Sequence, residues 1–156
     1  MAKTQSIDGL EDLPGHYIRR LQQIAVGIFL DETADVNVTP VQFALLFAAS
    51  QQDGLDQRTL ASRIGLDTST IAAVVDRLES RALIERNVSP EDKRVRLLSV
   101  TTTGKKLLER VIPAMLRAQE RILEPLAKPD RAKFMAMLKC IVEGNNAWSR
   151  AAKDSG

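Results

Sequence analysis

Apolar residues recur at helical spacing over most of the chain, interrupted once by a stretch of β-branched and aliphatic residues. After a polar start, Pro14 opens a segment in which Ile18, Leu21, Ala25 and Ile28 share one side, predicting a first helix from about Gly15 to Asp31. The polar run Asp31 to Asn37 ends it. Thr39-Pro40-Val41-Gln42 has capping-box spacing with proline at the first helical position, so a second helix starts there and runs through Phe43, Leu46 and Phe47. Its end is expected at Gln51-Gln52-Asp53-Gly54, where the glycine can supply a left-handed turn. Asp56 can cap a short third helix, about Gln57 to Ile64. Gly65 separates it from a fourth, Thr68 to about Ser80, capped by Asp67 and striped by Ile71, Val74, Val75 and Leu78.

Two short helices joined by a glycine turn read as helix-turn-helix. The period then changes. Leu83-Ile84-Glu85-Arg86, a polar turn through Ser89-Pro90-Glu91-Asp92, and Val95 to Val100 predict a β-hairpin, or wing. Thr101-Thr102-Thr103-Gly104 leads into a long amphipathic helix, Lys105 to about Leu126, that Pro113 should kink. A last helix begins near Pro129 and carries Phe134, Met137, Leu138, Ile141 and Val142 before a polar tail after Trp148. The fold expected is mainly α with a small β-hairpin wing. Such apolar flanking helices need more partner surface than the small module offers, and a second copy of the chain is the simplest source.

At 156 residues, 44% of them hydrophobic, the chain suits one compact domain with a real core. Its formal charge of +2 does not by itself indicate nucleic acid, so a DNA argument rests on where the charges lie. The single cysteine, Cys140, cannot form an intrachain disulfide, and the single histidine, His16, leaves no cluster with metal-ligand spacing. There is no secretion-like N-terminal pattern, and no apolar run approaches the roughly 18 residues that span a bilayer. The expectation is a protein of the reducing cytoplasm, with no cofactor and no membrane partner.

On a helical wheel, burying the stripe of the fourth helix turns Ser69, Ala73, Asp76 and Arg77 outward, with Thr68 and Thr70 beside them. That face suits a major groove: small residues allow close approach, the hydroxyls of Ser69 and Thr70 can donate to phosphates or base edges, and Arg77 can reach a guanine or a phosphate. Taken alone it also fits an ordinary solvated face. The hairpin changes the balance, because its turn gathers Lys93, Arg94 and Arg96, with Arg86 on the preceding strand, onto a narrow projection able to meet phosphates and a minor groove.

These residues resemble the multiple antibiotic resistance regulator (MarR) family, from about residue 14 to 148. The resemblance is carried by Leu60-Ala61-Ser62-Arg63-Ile64-Gly65-Leu66, by Thr70 to Leu78 ending in Val75-Asp76-Arg77-Leu78-Glu79, and by Leu83-Ile84-Glu85-Arg86. Above all it is carried by Asp92-Lys93-Arg94, followed by Leu97 to Thr101 and Gly104. It implies a winged helix-turn-helix module over 39–101, flanked by dimerisation helices over 14–38 and 102–150, all within one domain, 1–156. It also implies that Arg94 reads the minor groove while Asp92 orients it, and that a homodimer binds a pseudo-palindromic double-stranded operator. Many members of the family repress transcription until a small aromatic or phenolic effector binds. For that effector the first helix offers Tyr17, Arg20 and Ile24 at the edge of its apolar face with His16 beside Arg20, an arginine and an aromatic ring suited to a ring carboxylate. The plainer alternative makes His16 and Arg20 surface groups and Tyr17 packing.

Peroxide sensing through Cys140 is a further alternative, since some members of the family use a reactive cysteine. Those sensors carry the thiol near the start of the first helix, whereas Cys140 lies among Leu138, Ile141 and Val142 as an expected buried small hydrophobe. An enzyme is disfavoured, because the sequence offers neither a glycine-rich phosphate loop nor a nucleophile with a base. A dimeric co-regulator that meets protein instead of DNA would leave Arg86, Lys93 and Arg94 without a purpose.

Overall fold

The computed structural model describes residues 8–149, so the polar tail expected after Trp148 lies almost wholly outside the described residues. A short 3₁₀ turn, Leu10–Asp12, precedes helix α1, Pro14–Glu32. Then follow α2 (Pro40–Gln51), β1 (Leu55–Asp56), α3 (Gln57–Ile64), α4 (Thr68–Ser80), β2 (Ile84–Val88), β3 (Arg96–Val100), α5 (Thr102–Leu123) and α6 (Lys128–Gly144). Helices α2 to α5 begin where their capping residues dictate. Thr39 closes the capping box with Gln42, its hydroxyl accepting from the Gln42 amide while the Gln42 side chain accepts from the Thr39 amide, both at 3.2 Å. Asp56 caps α3 through the Thr59 amide at 2.9 Å and the Thr59 hydroxyl at 2.7 Å. Replacing Asp56 by alanine leaves both donors to water, and should lower unfolding stability by about 1 kcal/mol in a denaturant titration.

Gly65 ends α3 in the left-handed conformation, φ 71°, and the Leu66 amide returns to the Ala61 carbonyl at 2.9 Å. Gly54 also has positive φ, 72°, but it does not cap α2 as expected. That helix ends at an extended Gln52, and Gly54 instead turns the chain into β1, donating its amide to Leu98 at 3.2 Å. Strand β1 has only two residues, too few for periodicity to reveal. It pairs antiparallel with β3, so the predicted hairpin is the larger part of a three-stranded sheet in the order β1-β3-β2.

Two apolar clusters hold these elements. The larger joins α2, α3, α4 and the sheet around Leu45, Leu46, Leu60, Ile71, Val75, Leu78, Ile84 and Leu98, reaching Leu108 of α5. The stripe predicted for α4 is therefore buried as expected. A smaller cluster of Phe29, Val36, Val38, Val111 and Ala118 joins the end of α1 to α5, and Phe43 and Leu107 pack against both. Beside it, Arg121 bridges Asp31 at 2.6 Å and Glu32 at 2.8 Å, while Arg117 meets Glu32 at 2.8 Å. The Arg121 and then Arg117 hydrogen bonds hold the Glu32 carboxyl below its ordinary range. Helix α5 is unbroken across Pro113.

None of the residues of α6 is buried within the chain, in keeping with a flanking helix short of partner surface. Cys140, expected inside, is exposed. At 3.6 residues per turn it lies about 120° around the helix from Phe134, away from the side that Phe134 and Leu138 turn toward α1. Among the described residues, no helix is long and apolar enough to cross a membrane.

Candidate nucleic-acid interface

Helix α4 presents its polar side outward because its apolar stripe is consumed by the core. Thr68, Ser69, Thr70, Ala73, Asp76 and Arg77 are all exposed. The start of this face differs from the sequence expectation. The Asp67 carboxylate accepts from the Ser69 amide at 3.1 Å and the Thr70 amide at 2.8 Å, but also from the Ser69 hydroxyl at 2.6 Å and the Thr70 hydroxyl at 2.7 Å. The two hydroxyl protons expected to reach phosphates or bases are thus committed to the cap, and the oxygens face solvent as acceptors. The Ser69 hydroxyl, followed by the Thr70 amide and hydroxyl, holds the Asp67 carboxyl far below the ordinary carboxylate range.

The wing tip is folded on itself by short-range bonds. The buried Ser89 offers its hydroxyl oxygen to the Glu91 and Asp92 amides at 3.3 and 3.4 Å, and Val95 donates to the Asp92 carbonyl at 2.9 Å. Arg96 donates to the Lys93 carbonyl at 2.8 Å and so serves the turn itself. At the tip, Arg94 Nε and Nη2 each donate to the Asp92 carboxylate at 3.2 Å, and the Arg94 amide donates to the same carboxylate at 2.9 Å. Asp92 is thereby held below its ordinary range, by the Arg94 side chain first and its amide second. The Arg94 side chain is nevertheless 90% exposed, and Lys93 beside it is exposed too. A bidentate clamp on an exposed guanidinium fixes its direction without burying it.

Arg86 was expected to meet DNA with these residues, but it is engaged elsewhere. Its guanidinium binds the carboxylates of Asp76 and Glu79 on α4, the latter at 3.0 Å, and its side chain is only 27% exposed. The spacing of Asp76 and Glu79, three residues apart on a helix followed by a strand bearing arginine, was the available signal for this network.

The effector candidates separate similarly. Tyr17, Arg20 and Ile24 line an open groove of about 550 Å³ with Ile18, Leu21, Phe134, Leu138 and Ile141. Arg20 is its one charged residue. His16 is absent from the lining; its ring stands edge-on to Tyr17 with centroids 5.6 Å apart. The physical reason is the helical step: at 100° per residue the groove-lining residues of α1 centre between Tyr17 and Leu21, and His16 stands about 120° from that centre, beyond Arg20 at its edge.

A model of the MarR family matches residues 38–95, the segment from α2 to the wing. Over 126 residues the chain is 32% identical to a putative transcriptional regulatory protein for the hcr operon of Thauera aromatica, covering 80% of this chain and 76% of that one. The transcriptional repressor CouR, solved bound to a 23-mer DNA duplex, is 30% identical with a TM-score of 0.81, covering 90% of this chain and 99% of the other. BpsR of Bordetella bronchiseptica, whose DNA binding is regulated by 6-hydroxynicotinic acid, is 25% identical with a TM-score of 0.82, covering 87% and 97%. The helix-turn-helix, the wing with its clamped arginine and the sequence identity lead to one conclusion: the chain belongs to the MarR family of DNA-binding transcription regulators.

Proposed function

We propose that this protein is a homodimeric repressor of a pseudo-palindromic operator, released by a small aromatic acid or phenol. The observation that carries the reading is Arg94, held bidentately by Asp92 yet 90% exposed at the wing tip. An arginine so directed suits a narrow minor groove, where negative potential is strongest. Beside it α4 enters the major groove, with Ala73 permitting close approach, Arg77 reaching base or phosphate, and Thr68, Ser69 and Thr70 at the leading end. Lys93 contributes phosphate contact. Residues 39–101 form the DNA-binding module, and 14–38 with 102–150 form the dimerisation helices.

Dimerisation is supported by what α1 and α6 leave uncovered. Ile18, Ile24, Met135, Met137 and Ile141 are each half exposed, Val142 more so, and Trp148 is 88% exposed. A contiguous apolar face of this kind is covered in solution by a second copy. The groove around Tyr17, Arg20 and Ile24 has the volume of a small-molecule site and one cation to meet a carboxylate. Ligand binding there shifts the population toward dimers whose recognition helices are wrongly spaced for successive major grooves. Such a regulator works in the cytoplasm.

The test is a fluorescence-anisotropy titration of the full chain against the DNA upstream of its own gene and a scrambled duplex, repeated with hydroxybenzoic and hydroxynicotinic acids. Expected are selective, salt-sensitive binding and relief by one acid, with relief lost in Arg20→Ala although DNA binding persists. Equal weak binding to both duplexes would sink the repressor reading. Relief that survives replacement of both Arg20 and His16 would sink the ligand site alone.

A further inference from the structure

We infer that Arg86 is a positioning residue that masks the two carboxylates of the recognition helix and ties the wing to it, without itself touching DNA. The inference rests on reading α4 and the wing as the DNA face. Arg86 sits in the middle of β2, opposite Leu98 of β3 and on the same strand face as the buried Ile84. From there its guanidinium reaches Asp76 with Nη2 and Glu79 with Nη1, the second bond 3.0 Å long. Two carboxylates one helical turn apart match the planar fork of a guanidinium, and lysine's single point charge cannot reproduce that pairing. The exposures show the division of labour: 27% for the Arg86 side chain against 90% for Arg94.

Asp76 is the reason the mask matters. Its side chain is 65% exposed on the outward face of α4, next to Arg77. A bare carboxylate there would stand against the dense negative charge of a DNA backbone. With Arg86 in place, the net charge of the cluster falls from −2 to −1, and part of that repulsion is cancelled within the protein. Were Arg86 to swing out to a phosphate, it would gain one favourable contact and uncover two unfavourable charges on the same face. The fork also joins β2 to α4, so the wing arginine and the helix approach DNA at one fixed angle.

The experiment is a double-mutant comparison on the full-length protein, read as operator affinity by anisotropy over a salt series, with thermal unfolding as a check on folding. Arg86→Ala should weaken binding about tenfold or more in the wild-type background, and less than about threefold when Asp76→Asn and Glu79→Gln are already present. Arg86→Gln, which retains length and packing, should behave likewise and covers the case in which alanine disturbs the fold. An equal loss in both backgrounds, with a salt slope shallower by about 0.9 for each arginine removed, would make Arg86 a direct phosphate ligand and overturn the proposal. Arg94→Ala is the control. Should it bind operator as tightly as wild type, the DNA face itself is misread, and the proposal for Arg86 falls for that separate reason.

Discussion

Replacing Arg94 by alanine is expected to weaken operator binding by about 100-fold while leaving the thermal midpoint unchanged. A well-directed arginine contact in a groove is worth roughly 1–3 kcal/mol, and a dimer makes it twice. The side chain contributes little to the fold, since it is almost wholly exposed and, among the described residues, bonded to Asp92 two residues away. What the clamp supplies is direction. A free arginine would lose its rotamer freedom on entering the groove, whereas one already held by two nitrogens and its own amide has less to lose. Asp92→Asn should therefore weaken binding by a smaller factor than Arg94→Ala. Because Arg94 lowers the Asp92 pKa, the clamp is intact at and above the ordinary carboxylate range and is lost only as pH falls below it. Binding measured between pH 6 and 8 should show no change from this pair. An Arg94→Ala loss below about threefold would remove the wing from the mechanism.

The second large effect is expected at Gly104, in the first turn of α5. A β-carbon there would overlap the backbone carbonyl oxygen of Leu83 and stand 2.7 Å from Cγ1 of Val100. The neighbouring bonds leave no slack: Thr101 donates its amide to the Leu83 carbonyl at 3.1 Å and its hydroxyl to the Ala82 carbonyl at 2.7 Å, while the Gly104 amide donates to the Thr101 hydroxyl at 3.0 Å. Gly104→Ala must push α5 off the base of the sheet. Backbone cannot rotate aside as a side chain can, so a cost at the upper end of overpacking is expected, about 3 kcal/mol. In a chain of this size that lowers the thermal midpoint by roughly 6–12 °C. This contact also joins the winged module to the helix that leads into the flanking pair, so weaker operator binding should accompany the lower midpoint. An unchanged midpoint would mean that α5 is free to shift against the sheet.

The helical elements and their caps were legible because each rests on local chemistry. Thr39 with Gln42, Asp56 with Thr59, Asp67 with Thr70 and Gly65 in the left-handed region all follow from residues within four positions of one another. The wing motif Asp92-Lys93-Arg94 was equally local, and its pairing is made within three residues. Strand β1 was not, because two residues carry no period and exist as a strand only by pairing with Leu97 and Leu98 far along the chain. The apolar sequence neighbours of Cys140 point to burial, yet it is exposed, on the opposite side of α6 from Phe134 and Leu138.

The roles of the charged residues divide the same way. By itself the sequence determined the order of elements, the buried stripe of α4, the basic wing and the family, since these depend on periodicity, capping and short motifs. Only the tertiary structure decided how each charge is used. It set Arg86 against Asp76 and Glu79, joined Asp31 and Glu32 to Arg117 and Arg121 across two helices, left Arg94 outside in the grip of Asp92, and took His16 out of the groove that Arg20 enters. The physical reason is that a helix or strand is stabilised by bonds a few residues apart, whereas the partner of a charged side chain is whichever opposite charge the packed core happens to bring within reach.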